Sequence, residues 1–290
     1  MGYSSRYHVA SLTAVFVALA IGILIGAALG SDVLEGTAKD LEKSLSEDLD
    51  QARAELADAE QELAAQQDLA QRLFPAVVGG RLQDRQVALI GLGDLDPALI
   101  DDVKEALGPS GATLAEVAAV RLPPETGAVV DALRGSGRRT VPRGEALAQA
   151  ARRAGALLAG EGGGLDKVRE ALLTIYQGSP AGIDAVIVAR SRPDDLSPRE
   201  ASDATTLEDG MLEGIAATGV PVAGVERSGD EPSSVAFFDA RARATVDSID
   251  LLSGQVALVL ALAGAEGNFG VKDAADSLLP DLLVPERGGP

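Results

Sequence analysis

The stretch VALIGLGDLDPALIDDVKEAL, residues 87–107, decides the fold of this chain. Its first six residues form a short apolar run, which predicts a buried strand. Asp96 and Pro97 follow, and these residue types are preferred at the N-cap and first turn of a helix, so a helix is predicted over 97–107. A strand followed directly by a helix is the repeating unit of a parallel sheet.

The alternation of strand and helix patterns continues after this unit. Residues 123–143 interrupt it, because Pro, Gly and Arg occur there without a period, and we predict a mobile crossover. Since helices separate the strands, we expect parallel pairing and an α/β fold with helices on both faces of the sheet. We predict a mostly parallel α/β sandwich domain over 85–278, a linker at 75–84 and a flexible tail at 279–290. The other predicted strands are 113–120, 183–189 and 220–225, and the other predicted helices are 144–158, 165–176 and 206–218.

A membrane-length apolar segment precedes this domain. Residues 9–30 carry no charge, and at roughly 1.5 Å per residue they extend about 33 Å, enough to cross a bilayer core. A secretory signal peptide is the alternative, but its apolar region is usually shorter, so we expect an uncleaved transmembrane helix. The second uncharged run, residues 251–265, is short and interrupted, and predicts a buried helix.

Small side chains recur every four residues along the predicted span. Positions four apart share one helix face, and such small-residue stripes let two membrane helices approach closely. The stripe favours a homo-oligomer formed through the anchor, although Gly and Ala are also common in membrane helices generally. The stripe consists of Ala10, Ala14, Ala18, Gly22, Gly26 and Gly30.

Charge predicts the orientation and excludes some partners. Arg6 precedes the span and Asp32 follows it, so the positive-inside tendency places residues 1–8 in the cytoplasm and the rest outside, making the α/β domain extracytoplasmic. The net charge of −19 argues against a nucleic-acid partner, because phosphate binding requires clustered Lys and Arg.

Residues 31–74 predict an acidic coiled-coil stalk. Apolar residues recur with the seven-residue spacing of a coiled-coil seam, and Pro75 is expected to end the helix. Residues 31–70 contain twelve acidic and three basic side chains, a net charge of −9, so two identical copies would repel one another. We therefore expect either pairing enforced by the membrane helices or a less acidic envelope protein as partner, with a solvated single-helix spacer as the alternative. The seam consists of Leu49, Ala52, Leu56, Ala59, Leu63, Gln66, Ala70 and Leu73.

The sequence predicts no catalytic, metal or cofactor site. Copper is bound by thiolate, thioether or imidazole, whereas the chain has no Cys, two Met and a single His, His8. No His in the outer domain is available to activate a serine, so an enzyme is not expected. The turn at 91–93 resembles the start of a dinucleotide-binding motif, but the position of its third glycine is Asp96, which favours a plain strand-to-helix turn.

A glycine-flanked aromatic residue follows the apolar helix near the carboxyl end. Loops of this kind present binding edges in some proteins, and we treat it as a candidate interaction loop. Equally, Phe269 would make a hydrophobic contact back onto the helix. The loop comprises Gly267, Asn268, Phe269, Gly270, Val271 and Lys272.

Together with the acidic stalk, two segments of the chain resemble the MctB family, named for mycobacterial copper transport protein B, and the resemblance extends over nearly the whole chain. They are SRYHVASLTAVFVALAIGILIGAALGSD at 5–32 and TVDSIDLLSGQVALVLALAGAEGNFGVKDAADSLLP at 245–280. The resemblance implies copper transport or homeostasis in the outer cell envelope, without supplying copper ligands in this sequence. Some relatives also resemble membrane partners of cell-separation machinery that act on peptidoglycan hydrolases through a coiled coil. We expect a membrane-anchored envelope protein that acts by protein contact rather than as a pore, or alternatively a coiled-coil scaffold or regulator of those hydrolases.

Overall fold

The structure is a computed structural model that describes residues 5–133 and 142–281, without the side chains of residues 5–9 and 28–42. The chain divides into two compact units, Met1–Asp68 and Leu69–Pro290, which are described separately. The predicted tail at 279–290 falls largely outside the described residues.

Helix α1 covers Ser5–Val78, which includes the predicted span and stalk. It continues through Pro75, so the prediction that Pro75 ends the helix, and with it the start of the linker at residue 75, was wrong. In the second unit, Phe74 and Val78 are buried in the core. Their burial stabilises the last turn of α1 and outweighs the cost of a proline inside it.

The second unit is built on a sheet with seven strands among the described residues, and all neighbours are parallel except β2 and β3. The strand order is β3-β2-β1-β4-β5-β6-β7. The α/β fold class predicted from the sequence is therefore confirmed. The strands are β1 Gln86–Gly93, β2 Thr113–Val120, β3 Leu173–Gly178, β4 Ala185–Ser191, β5 Val222–Val225, β6 Ala244–Val246 and β7 Gly267–Phe269.

Helices cover both faces of the sheet and produce two separate cores. Apolar side chains of α2 and α8 and the end of α1 form the core on one face, and those of α3 to α7 form the core on the other. Successive strand residues point to opposite faces, which is why Leu89 lies in one core and Ile90 in the other. The helices are α2 Pro97–Leu107, α3 Thr126–Leu133, α4 Arg143–Leu158, α5 Leu165–Leu172, α6 Pro198–Ala217, α7 Val235–Asp239 and α8 Leu252–Leu262.

Glycines allow α4 and α6 to pack backbone against backbone. A Cβ placed on Gly155 would lie 2.1 Å from the carbonyl oxygen of Met211, and one on Gly214 would lie 2.0 Å from that of Arg152. Any larger residue at these positions would push the two helices apart.

The local predictions succeeded where a single element carried a clear pattern. The side chain of Asp96 accepts a hydrogen bond from the Ala98 amide at 2.9 Å, which confirms it as the N-cap of α2. The buried helix expected within 251–265 is α8.

Other predictions failed. The helix expected from about residue 206 begins at Pro198, within the segment predicted as a loop. The helix expected to run to residue 176 ends at Leu172. Residues 173–176, predicted as its last turn, belong to the antiparallel edge strand β3. The crossover at 123–143 contains α3, while residues 134–141 lie outside the described part. Short α7, β6 and β7 were not predicted, because elements of three to five residues have too little periodicity to detect.

Candidate functional site

The amino-terminal apolar stripe lies on a helical segment that is long and apolar enough to span a membrane. Residues Ala10–Ala27 have a mean hydropathy of 2.4, and every side chain in this window is exposed. A Cβ added to Gly22 or Gly26 would meet no atom within 4 Å. Gly30 lies outside the residues whose side chains are described.

The seam leucines of the stalk are exposed along α1. Leu49, Leu56, Leu63 and Leu73 are 51–60% exposed, and the Ala and Gln members of the seam are exposed as well. The Gln66 side-chain amide donates to Glu62 Oε1 at 3.2 Å, an interaction along the same helix. Half-exposed leucines at a regular spacing are the pattern of a helix surface suited to another helix.

The segment predicted as a candidate interaction loop is partly a strand. Gly267–Phe269 is the edge strand β7, and Phe269 is 5% exposed in the core that contains α8, so this aromatic packs inward. The Asp247 carboxylate accepts hydrogen bonds from the Val271 and Lys272 amides at 2.8 and 3.0 Å. Of the predicted loop, Val271 presents an exposed apolar side chain.

A crevice of about 550 Å³ lies at the carboxyl ends of β1, β4 and β5. After β1 the chain continues to β2 on one side, and it later returns to β4 on the other side, so the connections diverge between β1 and β4. In doubly wound sheets, ligands bind in the crevice outside the strand ends at this switch point. The volume falls within the usual range of small-molecule sites.

A fully buried carboxylate holds two arginines at the wall of this crevice. Glu208 on α6 is 0% exposed, and it pairs with Arg190 Nε at 3.0 Å and with the Arg192 guanidinium. The ring of Phe237 stacks against Arg190, whose guanidinium carbon lies 4.4 Å from the ring centroid. Arg192 also donates to Thr205 Oγ1 at 2.9 Å. Two guanidinium groups share one carboxylate, so the wall keeps one surplus positive charge.

A second buried carboxylate borders the crevice with its charge neutralised. Glu226 follows β5 and accepts hydrogen bonds from Ser233 Oγ at 2.7 Å and from the Ser234 amide. Lys272 Nζ donates to Glu226 Oε1 and to the Asp230 carbonyl, both at 2.7 Å. Lys272, predicted to lie on an interaction loop, therefore braces the crevice.

The exposed rim of the crevice is acidic. Its members come from the turns after β1, β4 and β5, and two of them also stabilise those turns through backbone amides of Ala98 and Arg227. Gly93 has a φ of 103°, which supports the tight turn expected after β1. The acidic rim residues are Asp94, Asp96, Asp194, Asp230 and Glu231.

One further carboxyl is buried away from the crevice. Glu116 on β2 is 1% exposed, and neither of its oxygens has a hydrogen-bond partner. Its cross-strand neighbour on β3 is Gly178, which has no side chain to pair with it. Burial raises the pKa of Glu116 to about 8, so the group is neutral at pH 7.

The sequence prediction missed the charged residues of the crevice, because they are far apart in the chain and carry no motif. The one available signal was their position. Arg190 and Arg192 follow a predicted strand, and strand ends form the binding edge of parallel sheets.

The family model for MctB, described as a copper transport outer membrane protein, matches residues 3–280. The chain belongs to the MctB family. This membership makes it an envelope protein related to copper transport. No curated protein matches the chain.

The described residues do not fit the copper that the MctB family name implies. Met211 is fully buried among apolar side chains, and the side chain of His8 is not described. Within residues 10–27, 43–133 and 142–281, no group of three or more His, Asp or Glu side chains is placed to hold a metal ion. Carboxylates are in any case poor ligands for copper(I), which prefers sulfur.

Proposed function

We propose that this MctB-family member is a single-pass, membrane-anchored envelope protein that acts by protein contact, through its anchor and stalk, and has neither a pore nor an enzymatic site. In this proposal residues 1–8 are cytoplasmic, the apolar part of α1 spans the membrane, and the α/β domain is extracytoplasmic. The stalk holds an envelope partner in a coiled coil, and the anchor stripe holds a second copy of the chain.

The observation that carries the proposal is the exposed leucine seam of α1. Burying a leucine side chain contributes about 1.5–3 kcal/mol, so four half-exposed leucines on one helix face give a substantial gain on pairing. The same leucines facing water would make the stalk a poor spacer, since a spacer requires only polar residues. The net charge of −9 in residues 31–70 favours a partner helix that is less acidic than the stalk.

Two roles are compatible with contact through the stalk. The family description favours a partner that handles copper, such as a transporter or porin. The alternative is a scaffold or regulator of peptidoglycan hydrolases in cell separation, which the coiled-coil seam supports because it needs no metal ligand.

Crosslinking from the stalk in intact cells tests the proposal. A photoreactive residue at position 56 or 63 is expected to capture one defined partner, and the double variant Leu56→Asp/Leu63→Asp is expected to reduce capture from position 49 at least tenfold. Metal transporters or porins in the product would assign the copper role, and peptidoglycan hydrolases or their regulators the alternative.

The matched control places the same two charges off the seam. Ala57→Asp/Ala64→Asp lies one position after each seam leucine, and it is expected to leave capture unchanged. If both double variants lost capture equally, added charge alone would explain the loss, and the seam would not be the contact surface. Ion conductance by the purified chain in liposomes would contradict the proposal directly.

A further inference from the structure

The crevice at the carboxyl ends of β1, β4 and β5 combines opposite charges in a way that selects its ligand. Its wall carries the surplus positive charge left by Arg190 and Arg192, which share Glu208. Its rim carries five exposed carboxylates. The two sets of charges are parts of one cavity wall, not of separate surfaces.

The arginines are held in place before any ligand arrives. Glu208 and Thr205 on α6 fix Arg192, while Glu208 and the Phe237 ring fix Arg190. Both side chains still reach the crevice surface, because Arg190 is 19% exposed and Arg192 is 24% exposed. Guanidinium groups bind carboxylates through paired hydrogen bonds, so two fixed arginines that line the crevice are suited to a carboxylate ligand.

The rim excludes ligands that are only anionic. A phosphate or nucleotide would bring two or more negative charges into a crevice lined by Asp94, Asp194 and Glu231, and like charges repel one another. A simple cation would pair with the rim carboxylates but would leave the two arginines without an anionic group of the ligand. A ligand with one carboxylate and one ammonium satisfies both parts of the crevice.

We propose that this crevice binds a zwitterionic ligand of the amino-acid or short-peptide class. The ligand carboxylate lies against Arg192 and Arg190, and its ammonium lies against the rim carboxylates, chiefly Asp94 and Asp194, which follow β1 and β4. The proposal is independent of copper and of the stalk.

The test uses the full-length chain in lipid nanodiscs and calorimetric titration with three probes. Glycylglycine carries both charges, N-acetylglycylglycine only the carboxylate, and glycylglycinamide only the ammonium. We expect saturable binding of glycylglycine, with each blocked form at least tenfold weaker, because each loses one charge-assisted contact.

Two variants assign the contacts. Asp94→Asn/Asp194→Asn is expected to weaken glycylglycine at least fivefold and to leave N-acetylglycylglycine unchanged or tighter. Arg192→Gln is expected to remove the difference between glycylglycine and glycylglycinamide. Control variants Arg243→Gln and Glu266→Gln change an exposed ion pair next to the amino end of β6. This pair lies at the opposite ends of the strands from the crevice, so neither variant should change the affinity for glycylglycine.

Each outcome decides the proposal. Absence of saturable glycylglycine binding, or equal binding of all three probes, overturns it. If thermal melting shows that Arg192→Gln is unfolded, the exposed double variant at 94 and 194 decides alone, and unchanged affinity in that folded protein also overturns the proposal.

Discussion

Helix α8 and the first part of α1 are both apolar helices, yet their surroundings are opposite. In α8, the side chains from Val256 to Leu262 are buried between the sheet and α2. Between Ala10 and Ala27 every side chain is exposed, with Leu24 at 74%. The comparison teaches that apolar composition makes a helix in both places, whereas the neighbours supplied by the rest of the chain determine whether it forms a core.

The contrast extends to how helices meet. Helices α4 and α6 pack through glycines that already contact backbone, while Gly22 and Gly26 on α1 have open space where a Cβ would stand. Small residues in the α/β domain thus serve an existing contact, and in our proposal those of the apolar segment serve a contact with another chain. The following experiments test this difference.

The largest effect is expected from filling the contact between α4 and α6. Gly155→Val places new atoms against the Met211 carbonyl, and we expect the free energy of unfolding to fall by more than about 3 kcal/mol, beyond the usual cost of overpacking, because backbone rather than a flexible side chain obstructs it. Urea unfolding of the full-length chain, followed by circular dichroism, measures the change.

The matched control is Gly127→Ala on α3, where a Cβ would meet nothing within 4 Å. Since Ala has the higher helix propensity, this change should stabilise the domain by up to about 1 kcal/mol. Equal stability of Gly155→Val and wild type would mean that α4 and α6 do not pack as described.

An intermediate effect is expected at Glu116, a buried carboxyl with no hydrogen-bond partner among the described residues. Its pKa is about 8 when folded against 4.5 for an ordinary glutamate, so the folded state retains a proton between these values that the unfolded state loses. The contribution of this proton to the free energy of unfolding is fully present below pH 4.5 and is lost as the pH rises to about 8. Glu116→Gln should remove this pH dependence, and at pH 9 its free energy of unfolding should exceed that of wild type by about 1–3 kcal/mol.

Urea unfolding at several pH values between 4 and 9 measures this dependence. Glu105→Gln, at an exposed position of α2, serves as control and should retain the wild-type profile. A Glu116→Gln profile parallel to wild type would show that the carboxyl finds a partner or water when folded.

The smallest effect is expected in the membrane anchor. Gly22→Leu/Gly26→Leu should weaken self-association of the span about fivefold, because bulky side chains separate helices that approach through small ones. The helix itself should be unaffected, since the added side chains meet no atom of their own chain. A membrane two-hybrid assay reports the change in association.

Ala20→Leu provides the comparison on the other face of the same helix and should leave association unchanged. If the double glycine variant associates as strongly as wild type, the stripe is not the interface. Its small residues would then reflect the general composition of membrane helices.

The parts of the fold that sequence could predict share a local cause. Strand β2 and helix α2 were predicted with their bounds, because alternation, N-cap chemistry and flanking glycines act within about ten residues. The end of α5 was misplaced because Leu173–Gly178 is compatible with a helix by composition and becomes a strand by pairing with β2. The core burial that carries α1 past Pro75 is likewise nonlocal.

The candidate functional features also separate into those that the sequence predicted and those that only the tertiary structure decided. The apolar span, the heptad seam and the membership of an α/β class follow from periodicity in the sequence, since side-chain spacing alone places residues on one face of a helix or strand. The crevice, the sharing of Glu208 by two arginines and the isolation of Glu116 were decided by tertiary structure. They depend on residues brought together from separate strand ends and helices, and no local pattern in the chain records which distant charges will meet.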